Sequence, residues 1–209
     1  MKVLETGLTD YKYAWDLQKK IVDKVGRGEE EETLILLRHF PVITLGRGAR
    51  KENILVNPDI LEKKGIKLYR IERGGDVTFH GPGQWVGYPI LDLRKRGRDV
   101  HLYLRNLEEV IIRVLAFYGI QGKRIPGLTG VWVKERKIAS IGVAIKKWIT
   151  YHGFAFCVYP EKDFFQLINP CGLNREMTSL REETGENIEM EEVKEVIKEK
   201  FLEVFSPHD

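Results

Sequence analysis

Residues 73–89 read RGGDVTFHGPGQWVGYP, with five glycines and two prolines among polar and aromatic residues. Glycine permits backbone angles and close approaches that other residues forbid, so Gly74 and Gly75 could bring backbone N–H groups to a ligand oxygen. Arg73 could bind an anion. The alternative is an elaborate loop in which His80 is merely hydrogen-bonded, and the stretch alone leaves both open. Because Arg73 and His80 occupy a polar loop, we expect them to serve substrate positioning more than folding.

The rest of the sequence alternates between apolar runs typical of strands and apolar stripes typical of helices. With 43% hydrophobic residues in a chain of 209, one substantial core can form. We predict a single α/β (α+β) domain over residues 1–209, with a mixed or largely antiparallel sheet flanked by helices. The expected elements are a helix capped by Thr9, strands at 33–37, 42–45 and 67–72, a helix at 100–118, a hairpin of 130–133 with 137–145, a strand at 148–158, and a C-terminal helix bearing Val193 to Phe205.

Charge and cysteine content narrow the classes of function. The chain has 34 basic and 31 acidic residues, a net charge of +3, which is not typical of a nucleic-acid-binding protein. Two cysteines are too few for a secreted disulfide scaffold. No apolar run approaches the roughly 18 residues that suggest a membrane span, and the N-terminus lacks a signal-peptide pattern. We expect a cytoplasmic protein with reduced thiols.

The two cysteines occupy different contexts. Cys157 lies in the apolar, strand-like run 153–159, which favours a buried structural residue. Cys171 lies between Pro170 and Gly172 in a segment typical of a loop, where a sulfur can be accessible. Spacing alone leaves Cys171 either as an ordinary loop cysteine or as a nucleophile, and no Cys/His spacing indicates a metal site.

The predicted strand 137–145 has one bulky and one small face. Ala139, Ile141, Val143 and Ile145 alternate with Ser140, Gly142 and Ala144. A small face can pack tightly against another element, or it can leave room for a ligand, and the pattern alone favours tight packing.

The stretch at 73–89 resembles, over its whole length, the signature of the lipoyl(octanoyl) transferase family. The segment TLGR at 44–47 also resembles that family, as do three later blocks in the same order: GLTGVW at 127–132, KIASIGV at 137–143 and NPCGL at 169–173. The resemblance therefore covers roughly residues 35–180. It implies the fold of the biotin/lipoate protein ligases.

The resemblance also implies a reaction and its residues. An octanoyl group would pass from octanoyl-acyl carrier protein, through a thioester on Cys171, to a lysine of a lipoyl-domain protein, in the first step of endogenous protein lipoylation. The acceptors would be the lipoyl domains of 2-oxoacid dehydrogenase complexes and the glycine cleavage H protein. A thiol with a pKa near 8.5 needs a cation to favour its thiolate, and Lys137 matches the family's catalytic lysine. The implied substrate-binding residues are Arg73, Gly74, Gly75, Asp76, Val77, Thr78, Phe79, His80, Ser140, Ile141, Gly142, Gly153, Phe154 and Ala155; no cofactor or metal is expected.

Three other functions stay open. An ATP-dependent lipoate–protein ligase would share the fold but would need no nucleophilic cysteine. A non-catalytic protein that binds acyl carriers or lipoyl domains could use the basic stretch 94–98 to meet an acidic partner. A hydrolase could pair Cys171 with His80 as its base.

Overall fold

The computed structural model describes residues 1–169 and 176–206. Within these ranges the strands form two sheets, and none of the helices is long and apolar enough to cross a membrane. In chain order the elements are β1 (Lys2–Thr9), α1 (Tyr11–Arg27), β2 (Thr33–His39), β3 (Val42–Leu45), α2 (Pro58–Lys63), β4 (Lys67–Arg70), β5 (Val77–His80), β6 (Gln84–Ile90), α3 (Val100–Phe117), β7 (Lys123–Ile125), β8 (Leu128–Val133), β9 (Arg136–Lys146), β10 (Ile149–Cys157), α4 (Leu180–Thr184) and α5 (Met190–Phe205).

The larger sheet has seven strands in the order β1-β2-β6-β10-β9-β8-β7. The β1–β2 pair is parallel, and the other neighbouring pairs are antiparallel. The smaller sheet has the order β4-β3-β5, in which β3 is parallel to β4 and antiparallel to β5. The prediction of a mixed sheet flanked by helices is confirmed.

Helices cover both faces of the larger sheet. The apolar stripes of α3 and α5 pack on one face, where residues such as Leu107, Ile111 and Phe201 are completely buried. Helix α1 packs on the other face through residues such as Ala14 and Val22. The loop before β5 also approaches this face: a Cβ atom on Gly142 of β9 would lie 2.9 Å from Cδ of Arg73, and the candidate site forms there.

Two local predictions were wrong. Thr9 ends β1, and the first helix is capped by Asp10, whose carboxylate accepts hydrogen bonds from the N–H groups of Lys12 and Tyr13. The glycine-rich stretch is also not one long loop, because it contains β5 and β6. Strand β6 is buried along its whole length between β2 and β10, and a Cβ atom on Gly87 would overlap Cζ of Phe154.

Candidate active site

A cavity lies against the small face of the β9–β10 pair. Cross-strand register sets Ser140 opposite Ala155 and Gly142 opposite Gly153, so small residues face one another across the two strands. Directly opposed residues of an antiparallel pair share a face, and here they leave a trough that larger side chains would fill. Nine of the residues expected to bind substrate line this cavity: Arg73, Thr78, His80, Ser140, Ile141, Gly142, Gly153, Phe154 and Ala155.

A second, smaller cavity continues from the first. The two share Thr78, Ser140 and Ala155 as lining residues, and the second is also lined by Phe79 and Met177. Both are small, at about 30 and 10 Å³. The shared residues therefore form the wall between the two cavities.

Four residues of the expected set line neither cavity: Gly74, Gly75, Asp76 and Val77. The N–H of Gly74 donates to the carbonyl of Val143 (2.9 Å), which ties the loop before β5 to β9. Ala144, the third member of the small face, is outside the cavity lining and packs with the residues under α1.

Arg73 and His80 are not in an exposed polar loop, which corrects the sequence-based expectation. His80 ends β5 and is only 7% exposed, and Arg73 is only 6% exposed. The Arg73 guanidinium donates to the carbonyl and hydroxyl oxygens of Thr44 (both 2.9 Å) and to the carbonyl of Gly74 (2.9 Å). Arg73 therefore holds the loop together, and its loss would lower stability as well as change the cavity.

Glycine at position 142 leaves the space that the Arg73 side chain occupies. A Cβ atom at position 142 would lie 2.9 Å from Cδ of Arg73 and 3.0 Å from the carbonyl oxygen of Gly74. Only glycine lets the loop approach β9 this closely. Bulk at position 142 would therefore act first on the loop and only secondarily on the cavity.

Sequence reasoning missed three further lining residues: Tyr11, Tyr88 and His152. The apolar spacing of α1 assigned Tyr11 to the core, and no local pattern distinguishes the other two from ordinary strand residues. His152 has a left-handed backbone (φ 54), an uncommon conformation for a non-glycine residue, and the buried amide of Gln18 accepts its N–H (2.8 Å). An observed outlier of this kind is typical of functional sites.

Buried histidines form a neutral cluster at the cavity, which His80 lines. Nδ1 of His39 lies 2.9 Å from the carbonyl of Thr9, so it donates, and Nε2 then accepts from the hydroxyl of Tyr88 (2.8 Å). Burial lowers the pKa of His39 to about 4. Burial, with smaller contributions from the charges of His39 and Arg73, also lowers the pKa of His80, whose Nδ1 has no hydrogen-bond partner among the described residues.

This cluster predicts a loss of stability at acid pH. In the unfolded chain His39 becomes protonated as the pH falls below its ordinary pKa of 6.5. In the folded chain it becomes protonated only near pH 4, where burial has lowered its pKa. The free energy of unfolding should therefore fall as pH drops through this window, by up to about 3 kcal/mol from His39. Denaturant titrations between pH 7 and 4 would measure the slope. His39→Gln cannot titrate there and should flatten it; an unchanged slope in that variant would contradict the prediction.

Lys137 lies at the start of β9 and is 6% exposed. Its N–H donates to the carbonyl of Glu176 (3.0 Å), and its carbonyl accepts from the N–H of Thr178 (2.9 Å). Its Nζ lies 5.3 Å from the centroid of the Trp132 ring. A Cβ atom at Gly130, whose φ is 129, would lie 2.6 Å from Cε of Lys137, so glycine leaves the space for the lysine side chain.

Cys157 lies within the described residues, and Cys171 lies outside them. Cys157 is buried at the end of β10, as its apolar run predicted, and lines the second cavity. Burial raises the pKa of its thiol to about 12, so it is not a thiolate at neutral pH.

Two of the four basic residues in the stretch 94–98 form ion pairs within the protein. Arg94 pairs with Asp92 (2.7 Å), and Arg96 pairs with Glu32. These pairs reduce the positive charge that the stretch could offer an acidic partner.

The sequence matches those of known proteins over nearly its whole length. A model of the lipoyl protein ligase A/B catalytic domain matches residues 10–202. An octanoyltransferase of Solibacter usitatus is 48% identical over 201 residues, which are 96% of this chain and 91% of that protein. An octanoyltransferase of Thermoanaerobacter sp. is 47% identical over 208 residues, which are 99% and 91% of the two chains.

Solved structures share the fold at low sequence identity. Lipoate-protein ligase A bound with ATP superposes with a TM-score of 0.77 at 18% identity, covering 97% of this chain and 84% of that one. Biotin protein ligase from Aquifex aeolicus gives 0.54 at 12% identity, covering 98% and 68%. Since the family model spans nearly the whole chain and the relatives are close to half identical, the chain belongs to the lipoyl protein ligase A/B catalytic domain family.

Proposed function

We propose that the protein is an acyltransferase that moves an octanoyl group from octanoyl-acyl carrier protein to a lysine of lipoyl-domain proteins. The observation that carries this proposal is the trough between the small faces of β9 and β10, where β9 also carries the buried Lys137 near its start. The relatives named octanoyltransferase support the choice of octanoyl as the acyl group. The acceptors are lipoyl domains of 2-oxoacid dehydrogenase complexes and the glycine cleavage H protein, and residues 1–209 act as one catalytic domain.

The proposed chemistry has two transfers. The Lys137 ammonium favours the Cys171 thiolate, which attacks the carrier thioester and forms a new C–S bond. The carrier C–S bond breaks, and the leaving sulfur takes a proton from Lys137. Neutral Lys137 then accepts a proton from the acceptor amine as that amine attacks the acyl-enzyme, which forms the amide and releases the Cys171 thiolate. Thioester to thioester to amide is downhill, so the reaction needs no ATP.

Apolar burial gives the acyl chain its affinity. At about 0.8 kcal/mol for each buried methylene, six methylenes contribute roughly 5 kcal/mol. This requires that the chain open the wall between the two cavities, which Thr78, Ser140 and Ala155 share.

Intact mass spectrometry tests the proposal most directly. Incubation with octanoyl-acyl carrier protein and no acceptor should add one octanoyl group, labile to hydroxylamine. Adding a lipoyl domain should move that group to the domain as an amide. Release of octanoic acid instead would indicate a hydrolase, and binding with no acyl movement would indicate a non-catalytic protein.

The alternative is an ATP-dependent lipoate–protein ligase. It rests on the shared fold alone, since lipoate-protein ligase A is only 18% identical. Free octanoate with ATP and a lipoyl domain, but no carrier protein, should give no amide. Efficient amide formation under those conditions would favour the ligase.

Two substitutions on the small face should distinguish an effect on acyl-chain length from an effect on the loop before β5. We expect Ser140→Val to depress octanoyl transfer by about tenfold or more relative to butanoyl transfer, because the added bulk enters the wall between the cavities and valine suits a strand. Gly142→Ala should depress both transfers equally and lower the thermal midpoint, because its Cβ meets Arg73 and Gly74. Rates with both acyl carriers, alongside thermal midpoints, would measure the difference. Equal loss for both chains in a folded Ser140→Val protein would place Ser140 outside the chain-binding wall.

A further inference from the structure

A short ladder joins two segments that are distant in sequence. The N–H of Leu55 donates to the carbonyl of Leu167 (2.9 Å), Ile54 and Ile168 form an antiparallel bridge, and the N–H of Asn169 donates to the carbonyl of Asn53 (2.8 Å). The backbone of 53–55 therefore holds the backbone of 167–169, and Cys171 follows two residues later in the sequence.

The side chain of Asn53 ties this ladder to the glycine-rich stretch. Asn53 is 8% exposed, and its amide nitrogen donates to Oδ2 of Asp76. Oδ1 of Asp76 accepts from the N–H groups of Val77 (2.8 Å) and Arg50 (3.2 Å). Both carboxylate oxygens thus bind protein groups, and Asp76 lines neither cavity. Its contacts are those of a clamp between β5 and the turn at 50–53.

The segment held by the clamp reaches the candidate site. Leu167 and Ile168 are buried with Val77 and Phe79 in the core of the smaller sheet. Ile168 also lines the second cavity together with Met177, whose backbone bridges to Lys137. A shift of the ladder would therefore move one wall of the cavity and the chain that leads to Cys171.

We propose that Asn53 and Asp76 are positioning residues, which set the backbone of 167–169 and thereby the approach of the Cys171 sulfur to the carrier thioester. The inference rests on the proposed function, because it requires Cys171 to be the nucleophile. In this inference Asp76 binds other residues of the protein and does not bind the substrate. Hydrogen bonds to a carboxylate are stronger than neutral ones, which suits a clamp that must hold position within a fraction of an ångström.

The chemistry of the pair allows it to be broken and restored. Asn53→Asp sets two carboxylates against each other, and Asp76→Asn sets two amides together. In the double variant Asn53→Asp/Asp76→Asn, the amide at 76 can donate to the carboxylate at 53, while its oxygen still accepts from Val77 and Arg50. Asn57→Ala is the control: Asn57 caps α2 by accepting from the N–H of Asp59 (3.0 Å), so its loss removes a nearby asparagine side-chain hydrogen bond that does not involve 167–169.

Rapid-quench mass spectrometry of acyl-enzyme formation on the full-length chain, over a range of octanoyl-acyl carrier protein concentrations, tests the clamp. We expect Asn53→Asp to slow acylation about 10- to 100-fold, with the concentration for half-maximal rate changed less than about threefold. The double variant should acylate at least about tenfold faster than Asn53→Asp. Asn57→Ala should acylate at the wild-type rate despite a comparable fall in thermal midpoint.

The possible failures are distinguishable. If the wild-type protein forms no adduct on Cys171, the proposed function fails. If it does, the clamp is overturned by a wild-type acylation rate in Asn53→Asp, by an equal loss in Asn57→Ala, or by a double variant as slow as the single one. A loss confined to the half-maximal concentration would instead assign the pair to donor binding and would also overturn the clamp.

Discussion

Cys171→Ser should form no hydroxylamine-labile octanoyl adduct and should lose transfer by roughly 10⁴-fold or more, the scale seen when an enzyme loses its nucleophile. The reason is chemical, since a serine hydroxyl ionises far less readily than a thiol and a nearby ammonium cannot compensate. Intact mass with octanoyl-acyl carrier protein, followed by a transfer assay with a lipoyl domain, measures both losses. An undiminished hydroxylamine-labile adduct on the variant would remove Cys171 from the mechanism.

The second cysteine is the natural control for the first. Cys157→Ser should keep its adduct and most of its transfer, because Cys157 is buried in β10 and burial raises the pKa of its thiol to about 12. A buried hydroxyl at this position should lower the free energy of unfolding by about 1–3 kcal/mol. Loss of the adduct in a folded Cys157→Ser protein would reverse the assignment of the two thiols.

Lys137→Met should shift the pH midpoint of thiol alkylation upward and slow transfer by about 10²- to 10³-fold. Methionine keeps the approximate size and removes the charge that would favour a thiolate and carry the proton. The backbone bonds from position 137 to Glu176 and Thr178 do not depend on the side chain, so the strand should stay in place. Alkylation rates of the protein between pH 5 and 10, with transfer rates at pH 7, provide the test.

Lys146→Met provides the control on the same strand. Lys146 ends β9, is exposed, and pairs with Asp23 at 2.6 Å, away from the cavity. Its loss should change neither the alkylation midpoint nor transfer. If Lys137→Met leaves the midpoint where the wild type has it, Lys137 does not tune the thiol.

Long periodic segments were the predictable part of the fold. Strands β2 and β3 and helices α3 and α5 lie where apolar runs and stripes place them, because each buries one face and the period of that face is written locally. The glycine-rich stretch at 73–87 was interpreted as a loop because its glycines and its proline are typical of turns, but it contains β5 and most of β6. Strand β6 nevertheless lies between β2 and β10 in the larger sheet. Pairing with these two neighbours stabilises a strand conformation that the local sequence does not favour.

The candidate site divides in the same way. The sequence by itself determined that β9 has a small face, that Cys157 lies in an apolar strand, and that the family's blocks occur in order, because alternation and motif spacing are local. Only the tertiary structure decided that Gly142 meets Arg73, that Ser140 faces Ala155, and that Asn53 binds Asp76. Those contacts depend on strand register and on loops that return from far along the chain, and many pairings satisfy the same local pattern. Side-chain chemistry was therefore visible in the sequence, whereas the partners of each side chain depended on how the two sheets pack.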